Sequence, residues 1–494
     1  MTEVFRYEVI PSTSWFYLST ILMVSIYFKF NRFISIRNLD ILMLALLAPG
    51  ILIVQHSANA RQFVEPDVIE WNEKVQNQEL FEDDDETPFG KMNADGIKRL
   101  SPEELQAAKK RLKVLSDEFQ VIKDFQFTGY VWLFVISGAL MARMLADPFM
   151  IRRPLLEPNL EFSGLTFLTI VLLFFLIANI VAASASQEDI RVAEKGKDLA
   201  TAQAPETNPV SSKGPGYSLL FLFPVVPTFV TDKHNEELTA EAPTGSAPNT
   251  SMVIVTKVMA IFGQLAIVVG IYLIGFQHFG NTRMGIGIVT LYLLLPYTAE
   301  MTGRIIHILP AAAMVWAVVC YRRPYWAGTF LGLAMGLAYY PLFLLPLWFS
   351  FYWHNGLRQF FVGFLTLILV LAVTLVFTSS DIAQFGQNLQ IMFGIWTPIM
   401  DGLTGFWEEG ATDSSYRIPV MATFFCLSVS FAAWPAQKDL GTLLSCSAAL
   451  MLAVQFWNGF GGGLLMAWYL PLTLMTMFRP NLEDRTAISL SLEK

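Results

Sequence analysis

The sequence predicts an all-α polytopic membrane protein, because its composition and its recurring apolar runs both require lipid as the main solvent. Hydrophobic residues make up 54% of the 494 residues and charged residues only 15%, whereas a soluble domain carries about 25% charged residues. The mean hydropathy is +0.48. Apolar runs of about 20 residues span a ~30 Å hydrocarbon core, and their number leads us to expect about 12–13 transmembrane helices.

The apolar runs and the hydrophilic stretches between them divide the chain into consecutive parts. We expect two membrane helices in 1–55, a hydrophilic insertion in 56–126, a membrane helix pair in 127–183, a flexible insertion in 184–251, the main transmembrane bundle in 252–478 and a cytoplasmic tail in 479–494. The first apolar run follows acidic residues and lacks a small-residue cleavage site. We therefore expect a retained membrane helix there rather than a signal peptide.

Basic residues in short loops orient the predicted helices, since cytoplasmic loops collect Lys and Arg. These residues are Lys29, Arg32, Arg37, Arg143, Arg152, Arg153, Arg283, Arg322 and Arg323. The loops that carry them alternate consistently along the chain, so all of them can be cytoplasmic. Both insertions then form large outward-facing loops.

One apolar stretch, Ala327–Trp353, is interrupted at Tyr339-Tyr340-Pro341. A single crossing puts Arg358 outside and the 379–417 loop inside, whereas a hairpin that turns at the proline reverses both positions. Proline removes an intrahelical hydrogen bond and clashes with the preceding turn, which favours the hairpin. Each half has only about 13 residues, so other helices must cover it. We therefore expect a broken short-helix hairpin, with the 379–417 loop on the face of both insertions.

The insertion 56–126 contains one predicted amphipathic helix. Ser101 and Glu104 have the spacing of a capping box, and leucines follow at helical spacing. A helix on the membrane surface and an ordinary solvated helix both fit this pattern.

Three clusters carry residues that suit chemistry. In the first, Glu300, Arg304 and His307 fall on one face if the segment is a single helix. Ionisable groups at the edge of a span are costly unless they pair or face water. Such a stripe suits binding of a phosphate or tuning of a catalytic carboxylate. A simple ion pair of Glu300 with Arg304 is the alternative interpretation.

The second cluster is the acidic start of the first insertion, where Glu65 and Asp67 lie near Arg61. A carboxylate in an outward cavity can act as general base on an acceptor hydroxyl. Solvated surface charge is the alternative. The run Asp83–Asp85 resembles a metal-binding sequence, but consecutive acidic residues in a loop are usually solvated, and we assign no metal site.

The third cluster contains Trp407, Glu408 and Arg417. An aromatic face beside a carboxylate suits a sugar, and an arginine suits a phosphate. An interfacial aromatic belt explains Trp407 equally well.

No basic stripe points to nucleic acid. The cysteines, Cys320, Cys426 and Cys446, lie in apolar segments without the spacing of metal ligands. We interpret them as small buried hydrophobic side chains.

The stretch 296–349 resembles the GT-C class of membrane glycosyltransferases, and within it the bacterial branch related to polyprenyl-phosphate-mannose-dependent mannosyltransferases. The matching residues are Arg322-Arg323-Pro324, Ala327-Gly328, Gly332-Leu333-Ala334, Tyr340-Pro341 and Leu344-Leu345-Pro346, followed by the segments NGLRQF and DSSYR. In that class the glycine-rich helix and the next one form such a hairpin. The family lysine near the hairpin turn is replaced here by Tyr339 or Tyr340, which implies altered donor binding or loss of catalysis.

The resemblance implies transfer of a sugar from a polyprenyl-phosphate donor to an acceptor at the outer face of a bacterial cytoplasmic membrane. The implied catalytic carboxylates are Asp67, Glu65 and Glu300, the implied donor-phosphate ligands are Arg304, His307 and Arg417, and the implied acceptor or sugar contacts are Trp407, Glu408 and Tyr340. A divalent metal stays open as a cofactor, and the partners are membrane lipids and the lipid-linked sugar.

Two other functions stay open. A secondary transporter predicts polar residues deep in several spans and a repeat relation between the halves of the chain. A non-catalytic membrane assembly protein predicts that the two insertions bind partners.

Overall fold

The computed structural model describes residues 12–83, 101–150, 156–183, 250–379, 382–393, 402–408, 410–459, 464–482 and 485–486, with a few residues between 186 and 220. This part of the chain is helical and contains no β-strand. Within it, seven helices are long and apolar enough to cross a membrane, and four further apolar helices are shorter. The prediction of an all-α polytopic membrane protein is confirmed.

We number the helices of the described chain α1 to α15 in sequence order. They are α1 Ser12–Tyr27, α2 Ile36–Asp83, α3 Pro102–Ala146, α4 Phe162–Ala182, α5 Thr250–Leu273, α6 Thr282–Leu294, α7 Pro296–Glu300, α8 Ile305–Val319, α9 Pro324–Leu337, α10 Leu345–Tyr352, α11 Leu357–Thr378, α12 Ile382–Phe393, α13 Arg417–Ala433, α14 Leu440–Trp457 and α15 Leu470–Phe478. A π-helical turn, Ile274–His278, follows α5.

The short loops that carry the predicted cytoplasmic basic residues meet at one end of the bundle, which we call the basic end. Asn159, in the loop before α4, donates its backbone N–H to the Ile26 carbonyl at 2.7 Å. Arg283, before α6, donates to the Leu160 carbonyl at 3.1 Å. The described basic loops therefore lie together, as the alternation of charge predicts, whereas Arg152 and Arg153 lie outside the described residues.

The stretch Ala327–Trp353 forms a hairpin rather than a single crossing. Helix α9 ends at Leu337, a 3₁₀ turn spans Tyr340–Leu344, and α10 runs back. The hydroxyl of Tyr352, at the end of α10, donates to the carbonyl of Tyr321 before α9 at 2.6 Å. Both ends of the hairpin therefore lie at the basic end, and the predicted turn at Tyr340-Pro341 is confirmed.

Helix α11 runs parallel to α9 and packs closely against it. A Cβ on Gly332 would approach the Phe364 carbonyl oxygen to 3.3 Å, and a Cβ on Gly328 would overlap the Phe360 carbonyl. Glycine at these positions lets the two backbones touch, which is a common way to pack helices in lipid. This contact covers the short hairpin helix that could not cross a bilayer alone.

The first insertion is mostly a continuation of two membrane helices. Helix α2 runs without a break through position 56, and α3 runs through position 126, so the predicted boundaries there do not coincide with structural breaks. The capping box of Ser101 and Glu104 is present. Arg61 lies over the Phe119 ring at 5.2 Å. The predicted amphipathic helix therefore pairs with α2, and we call residues 57–83 and 101–126 the stalk.

The structure describes the two remaining predicted parts, 184–251 and 479–494, to different extents. Most of 184–251 lies outside the described residues, although Tyr217 donates its hydroxyl to the Ile306 carbonyl at 3.2 Å. The predicted tail 479–494 begins inside the bundle, because Arg479 is only 4% exposed. Its guanidinium donates to the buried Asp147 carboxylate at 2.6 Å. Residue 479 therefore belongs to the packed core, which corrects the predicted boundary.

A buried ion network joins three helices at the basic end. Arg143 on α3 pairs with Asp40 on α2 at 2.9 Å and with Asp147 at 3.1 Å, and Asp147 also pairs with Arg479. Two carboxylates thus balance two guanidinium groups, so the network is neutral as a whole. Charges removed from water are tolerated only when they are paired in this way.

Candidate functional site

The predicted site residues lie at the end of the bundle opposite the basic end, where the hairpin turns. We call this the tip end and define it by residues 338–344. Hydrogen bonds bring the 402–408 loop, the N-terminus of α13 and the C-terminus of α14 to this end.

Aromatic packing fixes the 402–408 loop. The Phe406 ring stacks on Phe134 of α3 at 4.1 Å, and the Trp407 indole N–H donates to the Phe456 carbonyl at 3.1 Å. Gly402 and Gly405 have φ angles of 65° and 82°, a conformation that glycine adopts without strain. Trp407 is 3% exposed, so its ring packs the loop and offers no open face to a sugar.

This loop delivers Glu408 to the stalk. The Glu408 carboxylate lies 2.9 Å from Arg61 on α2 and 3.2 Å from Lys123 on α3. Arg61 also pairs with Glu65 one turn along α2, at 3.2 Å. The side chains of Glu408, Lys123 and Arg61 are 13%, 20% and 23% exposed, which makes this a half-buried charge cluster. We call Arg61, Glu65, Lys123 and Glu408 the stalk cluster.

Lys123 was not predicted as a site residue from the sequence. Its partner Glu408 lies hundreds of residues away in the chain, and only the folded stalk brings them together. In the sequence, the i, i+4 spacing of Arg61 and Glu65 indicates that these two side chains can pair on one helix face.

The two candidate general bases on α2 point in different directions. Because α2 is continuous, Glu65 and Asp67 lie two residues apart on one helix, about 200° around its axis. Glu65 faces Arg61 and the stalk cluster, whereas Asp67 is exposed. The start of the first insertion, expected as part of an outward loop, is helical here, and α2 continues through Pro66. Of the predicted acidic run Asp83–Asp85, only Asp83 lies within the described residues.

The predicted single-helix stripe of Glu300, Arg304 and His307 is wrong. Helix α7 ends at Glu300, and α8 begins after Arg304, with a turn through Gly303 between them. Glu300 and Arg304 therefore do not share one helix face, because the backbone leaves helical geometry between them. Glu300 and Arg304 are both exposed at this turn.

His307 is held inside the bundle. Its Nδ1 lies 3.2 Å from the Tyr297 hydroxyl, which donates to the Leu464 carbonyl at 2.6 Å. His307 is 8% exposed. The segment after α14 therefore positions the His307 side chain. Arg304, three residues earlier in the chain, is exposed.

Arg417 and Tyr340 meet at the tip. The Arg417 Nε donates to the Trp457 carbonyl at 2.7 Å, and the Tyr340 hydroxyl donates to Asn458 Oδ1 at 3.1 Å. The rings of Tyr339 and Tyr340 stack at 4.1 Å. Arg417 is 5% exposed, so a cation lies among aromatic rings at the end of the hairpin.

Gly459 lets the guanidinium reach this position. A Cβ on that residue would lie 2.9 Å from Arg417 Cζ and 2.6 Å from Leu403 Cδ2. The backbone carbonyl of Gly459 also accepts a hydrogen bond from Thr404 at 2.9 Å. The loop, the hairpin and α13 therefore meet at this glycine.

No cluster of side chains suited to bind a metal ion, cysteines included, appears among the described residues. No group of three His, Cys, Asp or Glu residues there is close enough to hold a metal ion. Cys446 is buried as predicted, Cys320 is half-buried, and Cys426 is exposed. The prediction for Cys426 is wrong because its position on α13 faces outward from the bundle.

A small pocket opens at the basic end, away from the tip. It is lined by Arg37, Asp40, Arg143 and Thr476, among others. Asp40 and Arg143 belong to the ion network that joins the helices, so we interpret this pocket as part of the structural network.

Comparison with protein-family models, with curated proteins and with solved structures finds no match for this chain. The functional proposal for this chain therefore rests on the geometry of the tip end.

Proposed function

We propose that this protein is a GT-C-like integral membrane glycosyltransferase that transfers a sugar from a polyprenyl-phosphate donor to an acceptor at the tip end. One observation carries the proposal. The hairpin turns back, so Tyr340, Arg417 and the stalk cluster lie at one end of the bundle. We further propose that this end faces outward from a bacterial cytoplasmic membrane.

Arg417 is the proposed anchor for the donor phosphate. When the bond between the anomeric carbon and the phosphate oxygen breaks, the leaving polyprenyl phosphate gains negative charge. A fixed cation in a water-poor site stabilises that charge more than water would. The hydrogen bond from Arg417 to the Trp457 carbonyl holds the guanidinium in place, and the exposed Arg304 offers a second cation at the same end.

Glu65 is the proposed general base. It is 42% exposed and faces the stalk cluster, so an acceptor hydroxyl can reach it. Deprotonation by Glu65 lets the acceptor oxygen form the new bond to the anomeric carbon. Glu408 is held by two cations, and its side chain is only 13% exposed. It therefore suits orientation of the acceptor rather than proton transfer.

The test is a transfer assay with the protein in lipid nanodiscs. Polyprenyl-phosphate-mannose and other polyprenyl-phosphate sugars are supplied, with and without a divalent cation, and release of polyprenyl phosphate is measured. We expect turnover that falls at least a hundredfold in Arg417→Ala and Glu65→Gln. Asp67→Asn is the matched control and keeps its activity, because Asp67 faces away from the stalk cluster. Absence of turnover with every donor, or turnover that survives both variants, contradicts the proposal.

The transporter is the weaker alternative. Polar side chains do occur deep in the spans, as in the Tyr292 hydroxyl that donates to Gln264 at 2.9 Å and the Thr169–Thr290 pair at 2.7 Å. These pairs are neutral and satisfy each other, so they favour helix packing over ion transport.

A further inference from the structure

Aromatic rings gather around the tip of the hairpin. We call this group the tip cluster; it comprises Tyr339, Tyr340, Phe343, Phe424, Trp457 and Trp468. The Tyr340 ring lies 5.3 Å from the Trp457 ring and 5.3 Å from the Trp468 ring. The two indoles therefore flank the same tyrosine.

Both indoles carry a buried N–H without a hydrogen-bond partner among the described residues. Trp457 is 4% exposed and Trp468 is 3% exposed, and neither Nε1 has an acceptor within that part of the chain. Buried donors are nearly always paired, because an unpaired donor costs free energy that water would otherwise supply. Two such donors in one aromatic cluster point to an acceptor that the described residues do not supply.

The donors select the kind of ligand. An indole N–H and a guanidinium only donate, so they suit a group that only accepts. The neighbouring amide of Asn458 is already engaged, since its Oδ1 accepts from the Tyr340 hydroxyl. A sugar hydroxyl would bring a further donor into this cluster, whereas phosphate oxygens bring acceptors alone. The Arg417 charge also favours an anion.

We propose that the indole N–H groups of Trp457 and Trp468, together with Arg417, bind the phosphate of a polyprenyl-phosphate lipid. The identity of the lipid rests on the proposed function. The cluster also offers a path for an isoprenoid chain, since the Phe343 ring lies 5.0 Å from Phe425. Phe425 is 52% exposed on the transmembrane helix α13, so rings lead from the tip cluster to the lipid-facing surface.

The test measures binding in nanodiscs of the whole protein. The probes are polyprenyl phosphate, the neutral polyprenol of the same length, and inorganic phosphate. We expect polyprenyl phosphate to bind and the polyprenol to bind at least tenfold more weakly. Trp457→Phe and Trp468→Phe should each weaken binding of polyprenyl phosphate about tenfold, since each removes one hydrogen bond to a charged group.

Trp15→Phe is the matched control. The Trp15 indole N–H is also buried and unpartnered in the described chain, but the ring stacks on Phe175 of α4 at 4.8 Å and is not part of the tip cluster. This variant should bind as the wild type does. Wild-type affinity in both tip variants overturns the inference, as does equal binding of polyprenol and polyprenyl phosphate. Equal binding of inorganic phosphate overturns the assignment to a lipid.

A measurement on the unaltered protein covers the case in which a variant fails to fold. In protein labelled with ¹⁵N at tryptophan, polyprenyl phosphate should move two indole N–H resonances that polyprenol leaves in place. Unmoved resonances overturn the inference. The two proposals fail separately: binding without sugar transfer contradicts the glycosyltransferase alone, and transfer that is insensitive to both tryptophans contradicts the phosphate site alone.

Discussion

The hydroxyl of Tyr352 donates to the backbone carbonyl of Tyr321 at 2.6 Å and thereby closes the hairpin at its base. Both tyrosines are fully buried. Because the end of α10 is tied to the residue just before α9, the chain returns to the end from which it entered. This reversal determines at which end of the bundle each later loop lies.

Labelling of single cysteines tests the reversal. In a background without Cys320, Cys426 and Cys446, we expect Asp413→Cys and Asp67→Cys to react from the same side of the membrane and Arg358→Cys from the other. All three positions are exposed. A membrane-impermeant maleimide gives the readout before and after permeabilisation.

A single crossing gives a different pattern, with Arg358→Cys on the side of Asp67→Cys and Asp413→Cys opposite. That result would contradict the hairpin. It would also separate the 402–408 loop from the stalk.

The pair of Arg61 and Glu408 should couple the loop to the stalk. In a double-mutant cycle with Arg61→Ala and Glu408→Ala, we expect a coupling energy of about 1–2 kcal/mol, because both side chains are half-buried. Equilibrium unfolding in mixed detergent measures it. The control cycle uses Glu70 and Lys74, a solvent-exposed pair on α2, and should give a clearly smaller coupling because water screens the two charges. Equal coupling in the two cycles would show that the loop does not depend on this contact.

Removal of Arg479 should destabilise the bundle strongly. Arg479→Ala leaves Asp147 buried with one cation fewer, and we expect a loss of about 3–5 kcal/mol in the free energy of unfolding. Asp147→Asn in the same background should recover part of that loss, since it removes the uncompensated charge. Arg358→Ala, at an exposed position, should change stability by less than about 0.5 kcal/mol. Similar losses in both arginine variants would contradict the role of the network.

Gly459→Ala should reduce sugar transfer while it changes the stability of the protein little. The new methyl group meets the guanidinium of Arg417 and the end of Leu403, both of which can move, so we expect a change of about 1 kcal/mol or less in stability. A displaced guanidinium should nevertheless reduce sugar transfer about ten- to a hundredfold. Gly386→Ala is the control, because no described atom beyond the adjacent residues and the helix's own backbone lies within 4 Å of a Cβ there. Unchanged transfer in Gly459→Ala would contradict the role of Arg417.

The sequence was informative where one residue type had a strong local effect. Pro341 and the distribution of basic residues predicted the hairpin and the basic end, and Ser101 with Glu104 predicted the start of α3. These signals depend on neighbours in the sequence or on counts of charge, so they need no tertiary information.

Other features depend on contacts that no local pattern contains. The acidic start of the first insertion was expected in an outward loop, yet α2 continues through it and α3 packs alongside. The turn at Gly303 breaks a segment that had suitable helical spacing. The contact between Lys123 and Glu408 exists only because the 402–408 loop folds against α3. For the same reason, no local sequence pattern indicates that the indoles of Trp457 and Trp468 flank the Tyr340 ring.

The ion network at the basic end has a consequence for the order of assembly. Ribosomes deliver α2 and α3 to the membrane long before Arg479, which lies 332 residues after Asp147. Until then, Asp40, Arg143 and Asp147 hold one excess negative charge. That charge disfavours burial, so we expect water to stay near these three side chains at first. Insertion of α15 then brings Arg479 to Asp147, and we expect the arrival of this last described helix to complete the bundle.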